Sequence, residues 1–328
     1  MAEKKVKVNA LGIEQNKVLV NLKGVVKLPK DPYEESVGSS GKPFRKFRFG
    51  IETEKDNIVQ LEIFAMQNDA YAYSKAEGKT EKVPFNKIAT FKKEGYEIIG
   101  TRVKLNGEDK NLIGWDMTEY LSKTLTEGKS IFTNAEIEFR KYEGENGVKI
   151  QKTITPKAIY ESSKAVDFET ELGQNVMNFD MIYMGIEKDT DGGKYDVEAK
   201  YVAYKDIVDI LFVVRDDNLA KAFKTKLKPY TTVTVSGKVI NKAETVEEKV
   251  DDSGWGTFES VRTVKNYTTE ILIEGANPAS IDKDKYSEKV IDEALAKKTE
   301  FDANKDKGND DFGAFTKTTD EEDDPFKD

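Results

Sequence analysis

Lys42-Pro43-Phe44-Arg45-Lys46-Phe47-Arg48-Phe49 alternates in chemistry with a period of two. Side chains of an extended strand point to opposite faces in turn. Phe47, Phe49 and the following Ile51 therefore share one face and suit a core. Phe44, Lys46 and Arg48 share the other. The spacing predicts a β-strand with a ring and two cations on its open side, and it makes the chain a β-protein.

The neighbouring sequence repeats the pattern. Ile58 to Met66 follows across the polar turn Glu54-Lys55-Asp56-Asn57, which makes a hairpin. Its Val59, Leu61 and Ile63 face the core, while Gln60, Glu62 and Phe64 face outward. Upstream, Lys17 to Lys27 alternates as a long strand, and Gly24 within it predicts a bulge or bend. Leu28 to Lys42, with two prolines, Gly38 and Gly41, reads as a flexible loop.

Farther on, residues 67–115 read as an insertion, with a weak strand pair near 96–105 and 112–114. Asp116-Met117-Thr118-Glu119 has the form of a helix N-cap with a reciprocal acid, and Gly128 follows the helix. Ile131–Tyr142 and Val148–Tyr160 form a hairpin about Asn146-Gly147. The order then recurs: strands at 176–187, 195–204 and 207–214, a helix capped by Asp216 or Asp217, and strands at 231–242 and 258–273. Three strands, a helix and two strands is the chain order of the five-stranded Greek-key barrel called the OB-fold. A pair of generic β-sandwiches fits the same strand count.

The expected fold is mainly β: two OB-fold-like barrels with one helix each, a C-terminal helix and a disordered acidic tail. The expected boundaries are 1–162 for an N-terminal domain carrying the 67–115 insertion, 163–305 for a second domain with a closing helix, and 306–328 for the tail. Tyr286, Val290, Ile291, Ala294 and Leu295 fall at helical spacing and predict docking of that closing helix on the second domain.

Composition narrows the chemistry. The 328 residues contain no cysteine and no histidine. That removes disulfides, Cys-based zinc sites and the commonest general base and metal ligand. Gly192-Gly193 opens no helix with a Lys-Ser/Thr pair, and Asp189 and Asp191 lack the remaining ligands of a calcium loop. No catalytic constellation, metal site or cofactor site is expected. With no long apolar run and no visible signal segment, a cytoplasmic location is expected. The net charge is −9, of which residues 306–328 carry −6 from nine acids and three bases. The remaining −3 leaves room for a basic groove.

Several residues fit binding to a single-stranded nucleic acid, in which rings stack on bases and cations meet phosphates. Phe44, Lys46, Arg48 and Phe64 carry that combination on the first hairpin, and an edge strand guarded by its charges is the competing reading. Tyr71 and Tyr73 either extend the row or pack the insertion. Arg140, Lys141 and Tyr142 face Lys149 and Lys152 across the later hairpin, where loops flank an OB groove. In the second half Trp255, between Gly254 and Gly256, reads as a stacking finger or as a lid on its own domain. Lys200, Tyr204, Arg262, Lys265 and Tyr267 are placed to extend that surface.

The chain closes on Asp320-Glu321-Glu322-Asp323-Asp324-Pro325-Phe326-Lys327-Asp328, acids ending in Pro-Phe without apolar period. Such a run solvates itself, and a ring near its tip gives a partner something to grip. With Asp323, Asp324, Pro325 and Phe326, the tail resembles that of bacterial and phage single-stranded DNA-binding proteins, which end in a similar Asp-Asp-x-Pro-Phe signature. The resemblance implies a non-enzymatic protein that coats unpaired DNA in replication, recombination or repair and recruits protein partners through the tail. The competing expectations are a virion structural or assembly protein of two β-domains, and an OB protein for RNA or oligosaccharide.

Overall fold

The structure, a computed structural model, describes residues 8–38, 41–144, 147–169, 173–189, 193–250 and 260–305, with backbone alone at 143–144, 243–250, 260–267 and 301–305. The first part of the chain contributes β1 (Val18–Lys27), β2 (Tyr33–Val37), β3 (Pro43–Glu54), β4 (Asn57–Met66), β5 (Ala70–Ser74) and β6 (Lys79–Val83). Helix α1 (Ile88–Lys93), β7 (Glu97–Ile99), β8 (Thr101–Leu105), β9 (Glu108–Leu112) and helix α2 (Gly114–Thr124) follow. Then come β10 (Ser130–Gly144), β11 (Gly147–Glu161), β12 (Gln174–Lys188), β13 (Tyr195–Val202) and β14 (Ile207–Val214). Helix α3 (Asp217–Lys226), β15 (Thr231–Val250), β16 (Ser260–Ala276) and helix α4 (Glu288–Lys305) complete the order. The architecture is mainly β and is organised around one large twisted sheet.

The alternation in β3 and β4 is resolved by burial. Phe47 pairs with Ile63, Phe49 with Leu61 and Ile51 with Val59, and these six side chains are at most 2% exposed. A shift of one residue would bring the outer face, with Lys46 and Arg48, into this core, so the register is strongly fixed. β1 runs antiparallel to β10 along one edge and meets β12 and then β3 on the other. The change of partner falls at Gly24, where a Cβ would lie 2.0 Å from the Glu52 carbonyl oxygen. The bend predicted at this glycine is thus a close backbone crossing that no side chain tolerates.

In the second half five strands close on themselves. β12 pairs with β13, β13 with β14, β14 runs parallel to β16, β16 pairs with β15, and β15 returns to β12. Helix α3 starts where the Asp216 carboxylate accepts from the Leu219 N–H at 2.6 Å, and it buries Ala220 and Phe223. Before and within α4, Tyr286, Ile291 and Ala294 are buried against Leu11, Ile182, Val202 and Ile207.

The two halves share hydrophobic core and polar stitching. One cluster runs from Val18 and Phe47 through Phe139 to Tyr201 and Phe212. Asn57, fully buried, donates to Thr53 Oγ1 and to the Val239 carbonyl, both at 3.2 Å, and accepts from the Asn241 N–H at 2.6 Å. Asn175 donates to the same Val239 carbonyl at 2.7 Å.

Several local expectations change. Residues 33–37, read as loop, form β2 because the edge of β3 offers unpaired backbone groups to an adjacent extended segment. Of residues 67–115, β5, β6 and β7 form a separate three-stranded sheet, whereas β8 joins the main sheet parallel to β11 and carries β9. Helix α2 begins at Gly114, ahead of the expected cap at Asp116, because burial of Trp115 and Met117 sets its start. β13 ends at Val202, which leaves Tyr204 in the following turn.

Candidate nucleic-acid interface

Phe44 and Phe64 stand on the outer face of the β3–β4 hairpin with ring centroids 5.3 Å apart and planes 28° from parallel. Phe64 is 53% exposed, an unusual position for a large ring with a core immediately beneath. Register explains the pair: β4 sets Phe64 opposite Lys46, one step along the face from Phe44. The Lys46 ammonium lies 6.0 Å from the Phe44 ring centre. Arg48 extends the row and faces Glu62. Glu34 on β2 lies 3.8 Å from both Lys46 and Arg48. Such partly exposed pairs are worth at most about 1 kcal/mol. An incoming phosphate can therefore take over either cation at little cost.

The opposite face explains why Arg45 does not join this row. Its guanidinium is covered by α2 and lies 4.2 Å from the Trp115 ring centre. It bonds Glu119 at 2.8 Å and Glu35 at 3.2 Å. Tyr33 donates to Glu35 at 2.7 Å. That bond and the Arg45 contact hold the Glu35 carboxyl below its usual range, while burial first, and Glu35 second, push the Tyr33 hydroxyl up to about 12. These groups clamp α2 and β2 to the hairpin and fix the platform from behind.

Tyr71 and Tyr73 are exposed on one face of β5, with Ala70, Ala72 and Ser74 buried on the other. They belong to the small sheet, so they form a second ring-bearing face and do not pack the core of the insertion. Phe85, which follows β6 of that sheet, meets Trp115 edge-on at 5.9 Å and ties it to α2.

On the β10–β11 hairpin, Tyr142 stands opposite Lys149, and Lys152 stands opposite Phe139. Tyr142 is exposed, and Arg140 pairs with Glu138 at 2.8 Å. Lys152 is half-buried and has no carboxylate within pairing distance among the described residues, and burial lowers its pKa.

On this hairpin, residues 138–141 of β10 border a cleft of about 820 Å³ against the β13–β14 turn and α4. Arg140 and Tyr204, assigned from sequence to different halves, meet there. Tyr201, Lys205 and Lys298 line it as well and were not singled out from sequence. Alternation alone marks Tyr201 as a core ring, and Lys298 arrives only through the docking of α4. Tyr201 is 1% exposed and packs edge-on against Phe139 at 5.1 Å. Its hydroxyl makes no hydrogen bond, although the Gln15 side chain approaches it. Burial pushes this hydroxyl up to about 12, so it remains a donor at neutral pH.

Lys200 takes a different role from the one its sequence position suggested: it is largely covered and pairs with Asp209 at 2.6 Å. Arg262, Lys265 and Tyr267 lie on β16 opposite Glu248, Thr245 and Ala243, and their side chains fall outside the described residues. Trp255 and the tail residues Asp323, Asp324, Pro325 and Phe326 also lie outside them. Among the described residues no group of three or more acidic side chains gathers as a metal site, and no helix is long and apolar enough to cross a membrane.

The family model described as YorF matches residues 72–309 of this chain. No curated protein matches it in sequence. Among solved structures, the wild-type single-stranded DNA binding protein from Thermus aquaticus is similar at 12% identity and a TM-score of 0.39, over 80% of this chain and 93% of that one. A deletion variant of that protein gives 12% identity and a TM-score of 0.40, over 80% and 94%. The small single-stranded DNA-binding protein from Streptomyces coelicolor gives 10% identity and a TM-score of 0.20, over 45% and 96%.

Proposed function

The chain belongs to the YorF family, and we propose that this member is a non-enzymatic protein that binds single-stranded DNA through two OB-type barrels. One observation carries the reading: the Phe44–Phe64 ring pair on the open face of the hairpin, with Lys46 and Arg48 in the same row. Unpaired bases offer flat faces for such rings, and a duplex hides them in its own stack. The cations then meet the backbone without reading sequence. The self-closing order β12–β13–β14–β16–β15 in the second half, with α3 between β14 and β15 in the chain, supports the OB-type assignment. The first half follows the same chain order with β1, β3, β4, α2, β10 and β11. The proposed division falls near residue 163, with α4 closing the second barrel.

On this reading the protein protects unpaired DNA during replication, recombination or repair in the cytoplasm. The acidic tail, with Asp323, Asp324, Pro325 and Phe326, recruits partner proteins and competes with DNA for the basic face. The test is titration of a labelled oligothymidylate with wild type and Phe64→Ala. Stacking is worth roughly 1–3 kcal/mol per base, so the variant should bind about fivefold or more weakly. Equal affinity would remove the platform from the binding surface. An oligouridylate arm tests the RNA alternative, which requires tighter binding to RNA than to DNA of equal length.

A further inference from the structure

We propose that the cleft between the β10–β11 hairpin and the β13–β14 turn is a nucleotide subsite, taking one phosphate ester together with its base. Its position joins the two halves, apart from the Phe44–Phe64 face. Arg140, Lys141, Lys205 and Lys298 line it against two carboxylates, Glu138 and Asp206. Those carboxylates already pair with Arg140 at 2.8 Å and with Lys298 at 2.6 Å. Lys141 has no ion pair among the described residues, so the lining carries surplus positive charge toward an anion. The Tyr204 ring, 52% exposed, offers a flat apolar face at the rim.

The Tyr201 hydroxyl adds an independent observation. It is a buried hydroxyl that completes no hydrogen bond, with the Gln15 side chain beside it, at the wall of a cleft lined by cations. A buried polar group left unpaired has lost its water without regaining a partner. An oxygen of a phosphate or of a base carbonyl supplies that partner, whereas an apolar ligand does not. The volume of about 820 Å³ lies within the roughly 300–1,000 Å³ usual for small-ligand sites. Cations, an exposed ring and a buried donor together fit a nucleotide, either as one unit of a bound strand or free. The strand form rests on the function proposed above, and the free form does not.

The experiment uses the full chain and two probes, thymidine monophosphate and an oligothymidylate of about 30 nucleotides, long enough for two barrels at roughly 4–16 nucleotides each. Wild type is compared with Tyr201→Phe, Tyr204→Ala and Lys141→Glu, and with Phe64→Ala as the control on the other face. Tyr201→Phe removes only the hydroxyl, and the other two cleft positions are exposed, so folding should be retained. The expected result is a loss of about threefold or more in oligonucleotide affinity for each cleft variant. The same loss for the mononucleotide alone assigns the cleft to a free nucleotide and also supports the subsite. If wild type and all three cleft variants bind both probes equally, the subsite is overturned while a Phe64→Ala defect still upholds strand binding. If wild type binds the mononucleotide in a cleft-dependent way but no oligonucleotide, the subsite stands and the proposed function falls. Binding of neither probe overturns both.

Discussion

At the scale of single residues, function and stability separate by face. Phe64 gives up burial to remain 53% exposed, so Phe64→Ala should cost no more than about 1.5 kcal/mol of stability, the worth of its stack on Phe44, while weakening DNA binding. Urea denaturation alongside the oligonucleotide titration checks both halves of that expectation. Asn57 shows the reverse. Its three hydrogen bonds are buried between the halves, and Asn57→Ala leaves the Asn241 N–H without a partner. The expected loss is roughly 2–4 kcal/mol in urea unfolding. Thr269→Ala, at the exposed end of the same network, should cost no more than about 0.5 kcal/mol. The residue roles were unevenly legible in the sequence. Period two placed Phe44 and Phe64 outside and Phe47 and Phe49 inside, because one strand pair fixes them. Tyr201 has a core-like pattern, and only the approach of a hairpin distant in sequence reveals its unpaired hydroxyl.

At the scale of elements, local signals succeeded where a segment decides its own structure. Asp216 caps α3, β14 occupies residues 207–214, and β10 and β11 close with Gly144 opposite Gly147. Signals failed where a neighbour decides. β2 has little apolar pattern and exists because β3 presents an edge, and β8 joins β11 in parallel across a gap in sequence. The parallel meeting of β14 and β16 is held at its rim by Glu270, which accepts from Lys194 and from Arg215, both at 2.8 Å. Burial would raise the Glu270 carboxyl, but the Lys194 bond and the charges of Lys194 and Arg215 outweigh it and hold the group below its ordinary 4.5. Because the folded value is depressed, this stabilisation is complete above about pH 4.5 and is lost as pH falls through the folded value. Glu270→Gln should therefore cost roughly 1–2 kcal/mol at pH 7 and much less near pH 3, read from urea midpoints at the two values. A cost that does not change between them would contradict the assignment.

At the scale of the whole molecule, charge is divided between a nearly balanced body and a tail carrying −6 of the −9. A leashed polyanion competes best when screening is weak. Deleting residues 320–328 should tighten oligothymidylate binding several-fold at low salt and by much less at physiological salt. Equal affinity with and without the tail at low salt would remove the competition. The measurement that bears most directly on the proposed function compares single-stranded and duplex DNA of equal length by fluorescence anisotropy at two salt concentrations. Tighter binding to the single strand than to the duplex at both salts, with affinity falling as salt rises and reduced by Phe64→Ala, is the expected result. Equal or tighter binding to the duplex, or no binding to either, would contradict it.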